Sequence, residues 1–176
     1  MTDDQRFEAL YYSHAGAVLA YALRRTAAAN ADDVVGEVFL VAWRRLADVP
    51  ADERIWLLGV ARRVLANQRR GQTRQRALRE RLVPELPASS PPLDQDPHDE
   101  RVLRALGDLR EDDREALLLL GWEELSHAEA ARVLGIRART FSVRLHRARR
   151  RFALALAAVD PAPSESSDAS LPVEVL

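Results

Sequence analysis

The chain has 176 residues, of which 47% are hydrophobic and 30% are charged, and its formal net charge is −1. That length and apolar content suffice for one or two small globular domains. The absence of cysteine excludes disulfides, thiolate zinc sites and a thiol nucleophile. No apolar run approaches the roughly 20 residues that a membrane-spanning helix needs, and residues 1–7 are polar, unlike a signal peptide. We expect a cytoplasmic protein with no membrane partner.

Two segments differ from the rest of the chain in composition. Residues 83–98 contain five prolines, two serines and three acids, a composition that does not hold a regular element. Residues 159–176 contain four acids, no basic residue and several prolines and serines, which is typical of a disordered tail. We therefore predict two compact domains, residues 1–82 and residues 99–158, joined by a linker at 83–98.

Both domains have the composition of helical proteins. Glycine and proline are scarce inside them, alanine, leucine and arginine are abundant, and no segment shows sustained alternation of apolar and polar residues. We predict an all-α fold without strands. The helices are predicted at residues 4–27, 31–48, 53–70 with an extension toward 81, 99–108, 111–123, 127–134 and 138–157.

The second predicted helix has one face that packing does not explain. Its inward arc is apolar and consists of Val34, Val35, Val38, Phe39, Ala42 and Leu46. The opposite face, which we call the docking stripe, consists of Asp33, Glu37, Leu40 and Arg44. A single outward leucine is usually without function, but one flanked by charges of both signs favours a small protein-docking site.

The third predicted helix has an outward face of a different kind. Its inward residues are Leu57, Leu58, Val60, Ala61, Val64, Leu65 and Gln68. The outward face, which we call the tryptophan face, consists of Trp56, Gly59, Arg63, Asn67 and Arg70, with Arg62 and Arg69 on its flank. An aromatic ring beside arginines and an amide is suited to stacking and holding unpaired bases. The alternative is that Trp56 covers the edge of the core. The loop before this helix contains Pro50, which can shape a pocket beside Trp56.

The second domain contains the pattern of a helix-turn-helix. Ser126 and Glu129 form a capping box, which predicts a helix start at residue 127, and Gly135 ends that helix. The small side chain of Ala131 lets the two helices approach at a steep angle. The following helix has an inward stripe of Phe141, Leu145, Ala148 and Phe152.

This following helix is strongly basic. Residues 130–159 contain eight arginines and no acid. A helical hairpin with a solvated charged face is the alternative, but such a face normally carries both signs and forms i,i+4 pairs, which are missing here. We therefore predict a DNA-recognition helix. Base contacts are assigned to Arg139, Thr140, Ser142, Val143 and Arg144, and phosphate contacts to Arg137, Arg147, Arg150 and Arg151.

The sequence offers no catalytic constellation. Its four histidines are scattered, and its carboxylates lie at helix starts and in the linker. We expect no enzymatic activity and no metal, cofactor or small-molecule substrate. A repressor or activator with a helical dimerisation domain is a rival interpretation, although a dimerisation domain has no use for Trp56, Arg63 and Asn67 on an exposed face.

Together these motifs resemble those of extracytoplasmic-function (ECF) sigma factors, the minimal members of the sigma-70 class of bacterial initiation factors. The resemblance covers residues 5–71 and 101–156. Its marks are Asp32 to Phe39 with Trp43 and Arg44, Trp56 to Arg63 with Arg69 and Arg70, Leu109 to Leu120, Leu125 to Ile136, and Arg144 to Arg149.

The resemblance implies a role for each surface. The docking stripe would bind the clamp helices of the largest subunit of core RNA polymerase. The tryptophan face and the Pro50 loop would melt and hold the minus-ten element of a promoter. The helix from residue 138 would read the minus-thirty-five element, and its domain would touch the flap of the other large subunit. The linker would follow the RNA exit path, and an anti-sigma factor is a further implied partner.

Three residues depart from the family's pattern. Gly36 replaces a glutamine that is usual in the docking helix, and Asn67 stands where an aspartate is common. Phe141 is bulkier than the usual valine, so we expect a recognition helix that is lifted or rotated slightly.

Overall fold

The computed structural model describes residues 2–80 and 97–159 of the chain. These ranges are all-helical, as predicted, and contain no strand. The helices are α1 (Asp3–Leu23), α2 (Ala28–Arg44), α3 (Glu53–Glu80), α4 (Pro97–Gly107), α5 (Glu111–Gly121), α6 (His127–Leu134) and α7 (Ala138–Val159), with a short 3-10 turn at Leu46–Asp48. The predicted linker up to residue 96 and the predicted tail from residue 160 lie outside the described residues. Within them, no helix is both long and apolar enough to cross a membrane.

The boundaries differ from the prediction at the end of α1 and at both ends of α2, which ends at Arg44 rather than at residue 48. α1 ends at Leu23 rather than at residue 27, and α2 begins at Ala28. The residue that precedes α2 is Ala27, which makes no side-chain cap, so this alanine-rich segment carries no start signal. α4 begins at Pro97, two residues inside the predicted linker, because the fixed φ of proline suits a first helical turn.

Helices α1, α2 and α3 pack around an apolar core that follows the predicted inward faces. From α2 the core receives Val34, Val38, Phe39 and Ala42, and from α3 it receives Leu57, Leu58, Val60, Ala61, Val64 and Leu65. α1 contributes Leu10, Val18, Tyr21 and Ala22. α1 also starts with a capping box in which the Thr2 hydroxyl accepts from the Gln5 N–H at 3.3 Å, a signal that the helix prediction did not use.

Helices α6 and α7 form the predicted helix-turn-helix. The Ser126 hydroxyl accepts from the Glu129 N–H at 3.3 Å, and the Glu129 carboxylate accepts from the Ser126 N–H at 2.8 Å. These bonds hold the pKa of Glu129 below its ordinary value. Gly135 ends α6 at a φ of 67°, which glycine adopts without strain. Phe141 is fully buried beneath α7, with its ring centroid 5.7 Å from that of His127.

The two predicted domains pack directly against each other. α6 lies on α3, and a β-carbon added at Gly59 would be 3.8 Å from the Val133 carbonyl oxygen. Most of the buried apolar side chains form one cluster that continues from α1, α2 and α3 into α5, α6 and α7, and a smaller cluster of Leu106, Leu109 and Leu118 lies apart from it. Periodicity assigns an inward face to each helix, but it does not say which other domain covers an outward face. The sequence therefore does not predict this contact.

Candidate nucleic-acid and polymerase interfaces

The front of α7 is open to solvent. Arg139 and Thr140 are exposed, and Val143 exposes 47% of its surface. Ser142 is exposed as well, and its hydroxyl donates to the Ala138 carbonyl oxygen at 3.1 Å. The arginines that were assigned to phosphate contacts are also exposed; they are Arg137, Arg147, Arg150 and Arg151. This face is therefore accessible to a large ligand.

An acidic turn at the start of α5 faces this helix. Glu111, Asp112 and Asp113, which we call the acidic turn, line one side of a cleft of about 850 Å³ whose other side is α7. Arg144 Nη1 lies 3.4 Å from Asp112 Oδ1, and Arg151 contacts the buried carboxylate of Asp113. The prediction that these arginines lack i,i+4 partners holds, but Arg144 and Arg151 have acidic partners on another helix. That prediction compared charges within one helix, whereas these acids come from a neighbouring helix.

Four other arginines assigned to DNA contacts retain unpaired charge. Among the described residues, Arg137 just before α7 and Arg139, Arg147 and Arg150 within it form no ion pair. Guanidinium groups without a protein carboxylate attract phosphate and base edges. The outward side of α7 therefore keeps most of the cationic character that its sequence indicates.

The tryptophan face is divided by the second domain. In its N-terminal part, Gly59 is buried against Val133 of α6, and Trp56 is half-buried against the shared core. Its C-terminal part, with Arg63, Asn67 and Arg70, is exposed. Arg70 Nη2 donates to Asn67 Oδ1 at 2.5 Å. The prediction of a fully outward face is wrong for two of its residues, because Gly59 lies under α6 and Trp56 occupies the core-edge position that was the alternative.

The flank of the tryptophan face also touches the second domain. Arg69 contacts the Glu111 carboxylate of the acidic turn. Arg62 is half-buried and, together with Arg69 and Glu111, lines a crevice between the two domains. Pro50 is exposed in the loop before α3. The acidic turn therefore contacts arginines of both helices that are candidates for nucleic-acid binding.

The docking stripe is exposed along its whole length, as predicted. Leu40 exposes 48% of its surface, and its charged neighbours Asp33, Glu37 and Arg44 are exposed as well. Gln68 of α3, which the sequence placed on the inward side, is only half-buried and donates from Nε2 to Glu37 Oε1 at 3.0 Å, which orients that carboxylate. The stripe is therefore a leucine surrounded by charges of both signs.

Aromatic side chains extend this surface, and the sequence analysis did not assign them to the docking stripe. Trp43, one turn after Leu40, is 45% exposed. Tyr11 of α1 lies edge-on to Phe39, with ring centroids 4.8 Å apart, and Tyr12 beside it is largely exposed. The consecutive tyrosines are visible in the sequence, but a helix can bury two adjacent residues, as α3 does with Leu57 and Leu58, so the pair alone does not reveal the exposed surface.

A buried ionic cluster joins the two domains. Arg25, just after α1, donates from Nε to Glu115 Oε2 at 2.8 Å and from Nη1 to Glu123 Oε1 at 2.9 Å. Tyr21 donates its hydroxyl to Glu115 Oε1 at 2.8 Å. The Arg25 guanidinium also lies 3.5 Å from the centroid of the Tyr21 ring. The side chains of Arg25 and Glu123 are only 3% and 4% exposed. We call these four residues the Arg25 cluster.

The surroundings of Tyr21 and Arg25 favour a neutral phenol and a charged guanidinium. Burial, and then the charge of Glu115, raise the pKa of Tyr21 well above its ordinary value, so the phenol remains a donor. Burial alone lowers the pKa of Arg25, but Tyr21 and Glu115 outweigh it, and the pKa is raised. The guanidinium therefore stays charged although it is buried.

Three more contacts surround the Arg25 cluster. Arg54 of α3 donates from Nη2 to the Glu123 carbonyl oxygen at 2.9 Å, and Arg24 Nη1 lies 3.4 Å from Glu123 Oε1. At the exposed edge, Arg132 of α6 contacts Asp52. In the sequence, each of these residues looks like an ordinary charged surface residue. No local pattern therefore reveals the cluster.

Comparison with family models gives the same two-part organisation. Residues 10–75 match Sigma-70 region 2, and residues 99–152 match Sigma-70, region 4. The chain belongs to the sigma-70 family. Within this sigma factor, the region 2 match contains the docking stripe and the tryptophan face, and the region 4 match contains the helix-turn-helix.

Curated relatives define the subfamily of this sigma factor. ECF RNA polymerase sigma factor SigL of Mycobacterium tuberculosis (strain H37Rv) is 34% identical over 154 residues, which cover 84% of this chain and 87% of the relative. ECF RNA polymerase sigma factor SigC of the same species (strain CDC 1551) is 35% identical over 132 residues, which cover 68% of this chain and 66% of the relative. The protein is thus an ECF sigma factor, which directs transcription initiation by RNA polymerase.

Solved structures of sigma factors share the fold across both domains. Sigma factor RpoE from Bartonella quintana, in complex with the anti-sigma factor NepR, matches with a TM-score of 0.68 and 25% identity, covering 85% of this chain and 96% of that chain. CnrH, in complex with the cytosolic domain of CnrY, matches with a TM-score of 0.61 and 30% identity, covering 86% and 88%.

Proposed function

We propose that this sigma factor binds core RNA polymerase through the docking stripe, reads the minus-thirty-five element with α7 and holds the minus-ten element on the tryptophan face. The observation that carries the proposal is the front of α7. It combines unpaired arginines, which match guanine edges, with threonine and valine side chains that match other base edges and the thymine methyl group. An ordinary solvated helix does not require this combination.

The position of each side chain on α7 supports a division of labour in DNA binding. A helix about 10–12 Å wide fits a major groove about 12 Å wide, with its first turns nearest the bases. Arg139, Thr140 and Val143 lie on those turns, whereas Arg147 and Arg150 lie further along and suit phosphates. If these arginines neutralise about four phosphates, the logarithm of the DNA-binding constant should fall with the logarithm of the salt concentration with a slope of roughly −3 to −4.

The tryptophan face supports binding of unpaired bases. Trp56 offers an aromatic surface for stacking, which contributes about 1–3 kcal/mol per base in single-strand binding proteins. Arg63 and Arg70 follow it along one side of α3 at intervals suited to a nucleic-acid backbone, and Asn67 between them offers a donor and an acceptor to a base edge. We propose that Pro50 borders the pocket that receives a flipped base.

The docking stripe supports binding to core polymerase. An exposed leucine within a ring of charges is the composition of a protein-binding hot spot, because the ring excludes water from the apolar contact. We propose the clamp helices of the largest subunit as its partner, and the flap of the other large subunit as a partner of the second domain.

Substitution of Leu40 tests this assignment. Leu40→Asp is expected to weaken core polymerase binding at least tenfold, since it places a charge in an apolar contact, and to leave minus-thirty-five duplex binding unchanged. The matched control is Leu154→Asp, which changes an exposed leucine near the end of α7. Both are measured by fluorescence anisotropy with labelled sigma factor. Equal core affinity of the two variants would contradict the assignment.

We also propose that an anti-sigma factor binds this protein. The support is the shared fold with RpoE, whose structure is a complex with the anti-sigma factor NepR. Because core polymerase acts on chromosomal DNA, we place the activity of this sigma factor in the cytoplasm.

Run-off transcription with purified core polymerase on a library of genomic fragments from the source organism tests the proposed function. We expect discrete transcripts only when the sigma factor is added, and their upstream sequences define the two promoter elements. Absence of initiation, together with tight binding of a dimer to a palindrome, would favour a repressor instead.

A further inference from the structure

The Pro50 loop, which joins α2 to α3 over residues 45–52, has an exposed tip on a buried base. Leu46 and Val49 are buried, whereas Pro50 and Ala51 are exposed. Among the described residues, Pro50 and Ala51 form no backbone–backbone hydrogen bond. The position of the exposed tip therefore depends on contacts made by the residues beside it.

One such contact comes from the first turns of α1. Arg6 is half-buried, and its Nη2 donates to the Val49 carbonyl oxygen at 3.3 Å. This carbonyl belongs to the planar peptide unit that also contains the Pro50 nitrogen, and the proline ring fixes the next dihedral angle, φ. A charged donor on this carbonyl, which forms a stronger hydrogen bond than a neutral one, therefore acts on the orientation of Pro50 itself.

The backbone at Val49 has room to turn if this hydrogen bond is removed. A residue that precedes proline favours ψ values of about +120° to +160°. Val49 has a ψ of 118°, which lies at the lower limit of that range. Rotation toward the middle of the range would turn the Val49 carbonyl away from Arg6 and move Pro50 with it. The hydrogen bond therefore selects one of several allowed positions of the loop.

The other contacts of the loop do not replace this hydrogen bond. Arg45 Nε lies 3.1 Å from Asp48 Oδ2, but the two side chains are 51% and 60% exposed, and such exposed pairs contribute little. At the other end of the loop, His14 Nε2 lies 3.1 Å from Oε2 of Glu53, the first residue of α3. That contact ties the start of α3 to α1, and it leaves the peptide unit before Pro50 free to rotate.

We propose that Arg6 is a positioning residue for the minus-ten surface: its hydrogen bond to Val49 sets the orientation of Pro50 and thereby the base that the Pro50 loop accepts. This inference rests on the proposed function, which places a flipped base beside Pro50. Arg6 acts through the loop rather than by touching DNA. Its removal should therefore change which base is preferred more than it changes how tightly strands bind in general.

The base selectivity of the holoenzyme tests this role. The full chain in complex with core polymerase is offered minus-ten strands in which each position carries each base in turn, and competition gives the ratio of affinities for preferred and other bases. A loss of folded protein does not change this ratio, because both strands compete for the same molecules. Arg6→Met keeps an unbranched side chain but removes the donors, and we expect it to lower the ratio about fivefold at one position. Arg6→Lys retains a charged donor and should stay within about twofold of the unmodified chain.

Arg114 provides a matched control in the second domain. It also donates to backbone carbonyl oxygens between two helices, those of Leu106 at 2.8 Å and Gly107 at 2.9 Å. Arg114→Met therefore removes the same kind of hydrogen bond without changing the Pro50 loop, and the base ratio at the minus-ten strand should not change. An equal fall of the ratio in Arg6→Met and Arg114→Met would overturn the role of Arg6 in positioning Pro50.

A double-mutant cycle tests whether Arg6 acts through Pro50. We expect Pro50→Ala to change selectivity at the same strand position, and the variant with both changes to lose no more selectivity than Pro50→Ala alone, because coupled residues are not additive. Additive losses, losses at different positions, or an Arg6→Met variant that binds all strands less tightly at an unchanged ratio would overturn the inference and leave the proposed function standing. If the unmodified holoenzyme binds the minus-ten strand no more tightly than core polymerase alone, the proposed function is overturned, and this inference with it.

Discussion

The two proposed DNA surfaces of this sigma factor differ in what makes them available. The front of α7 is exposed, and the acids that it meets, in the acidic turn, belong to its own domain. In the tryptophan face, Gly59 lies under α6 of the other domain, and Trp56 is half-buried against the core that both domains share. Availability of the first surface is therefore a property of one folded domain, whereas availability of the second depends on how the domains are arranged. Residue type alone does not distinguish the two cases.

The largest expected effect comes from removing the support beneath the exposed surface. Phe141→Ala should lower the free energy of unfolding by about 3–5 kcal/mol, because it empties a fully buried aromatic site, and should abolish minus-thirty-five binding. Urea unfolding followed by circular dichroism measures the first effect. Phe152→Ala, at a half-buried position of the same stripe, should cost clearly less. An equal loss of unfolding free energy in the two variants would contradict the expectation that Phe141 contributes more to the stability of α7 than Phe152 does.

The next effect separates the base-reading side of α7 from its other sides. Arg139→Ala should weaken minus-thirty-five duplex binding by about tenfold to a hundredfold, the range for losing a good arginine to base contact, and leave core polymerase binding intact. Arg149→Ala is the matched control, since it removes the same charge from the side of α7 that lines an apolar groove with Trp122. Similar losses in both variants would indicate general electrostatic attraction rather than readout.

A smaller effect is expected at the exposed part of the tryptophan face. Arg63→Ala should weaken binding of the holoenzyme to the minus-ten strand by about fivefold, as expected for one lost backbone contact. It should not change minus-thirty-five binding, because Arg63 is on α3. Electrophoretic mobility shifts with the two elements on separate oligonucleotides measure both. An equal loss of affinity for the minus-thirty-five duplex would contradict the assignment of the two promoter elements to separate surfaces.

The smallest effect concerns the acidic turn. Asp112→Asn should raise affinity for duplexes of any sequence by about two- to threefold, since an exposed ion pair contributes little and a nearby negative charge is removed. Discrimination against non-promoter duplex should fall accordingly, because Arg144 loses the partner that orients it. Competition binding measures the ratio of the affinities for promoter duplex and random duplex. If this ratio is unchanged in the variant, Asp112 has no role in positioning Arg144.

Features set by local chemistry were predictable from the sequence. The capping box of Ser126 and Glu129, the left-handed Gly135 and the buried position of Phe141 each depend on residues within one or two turns. The docking stripe was predictable for the same reason, since one helix defines both its inward and its outward face. Such features require only helical geometry and the preference of apolar side chains for burial.

Features set by contacts between distant segments were not predictable. Arg25 and Glu123 are almost a hundred residues apart, and nothing in either local sequence distinguishes them from solvated charges. Pairing of Arg151 with Asp113 has the same character, because it joins α7 to α5. The cover over Gly59 depends on the arrangement of two domains, which periodicity does not encode.

Equilibrium binding of the unmodified chain to each promoter element, alone and in complex with core polymerase, tests the central claim most directly. We predict that the free chain binds the minus-thirty-five duplex but binds the minus-ten strand at least tenfold more weakly than the holoenzyme does. Core polymerase without the sigma factor is the control, because it measures how strongly the polymerase itself binds the strand. Equal affinity of the free chain and the holoenzyme for the minus-ten strand would contradict the claim that the domain arrangement controls the tryptophan face.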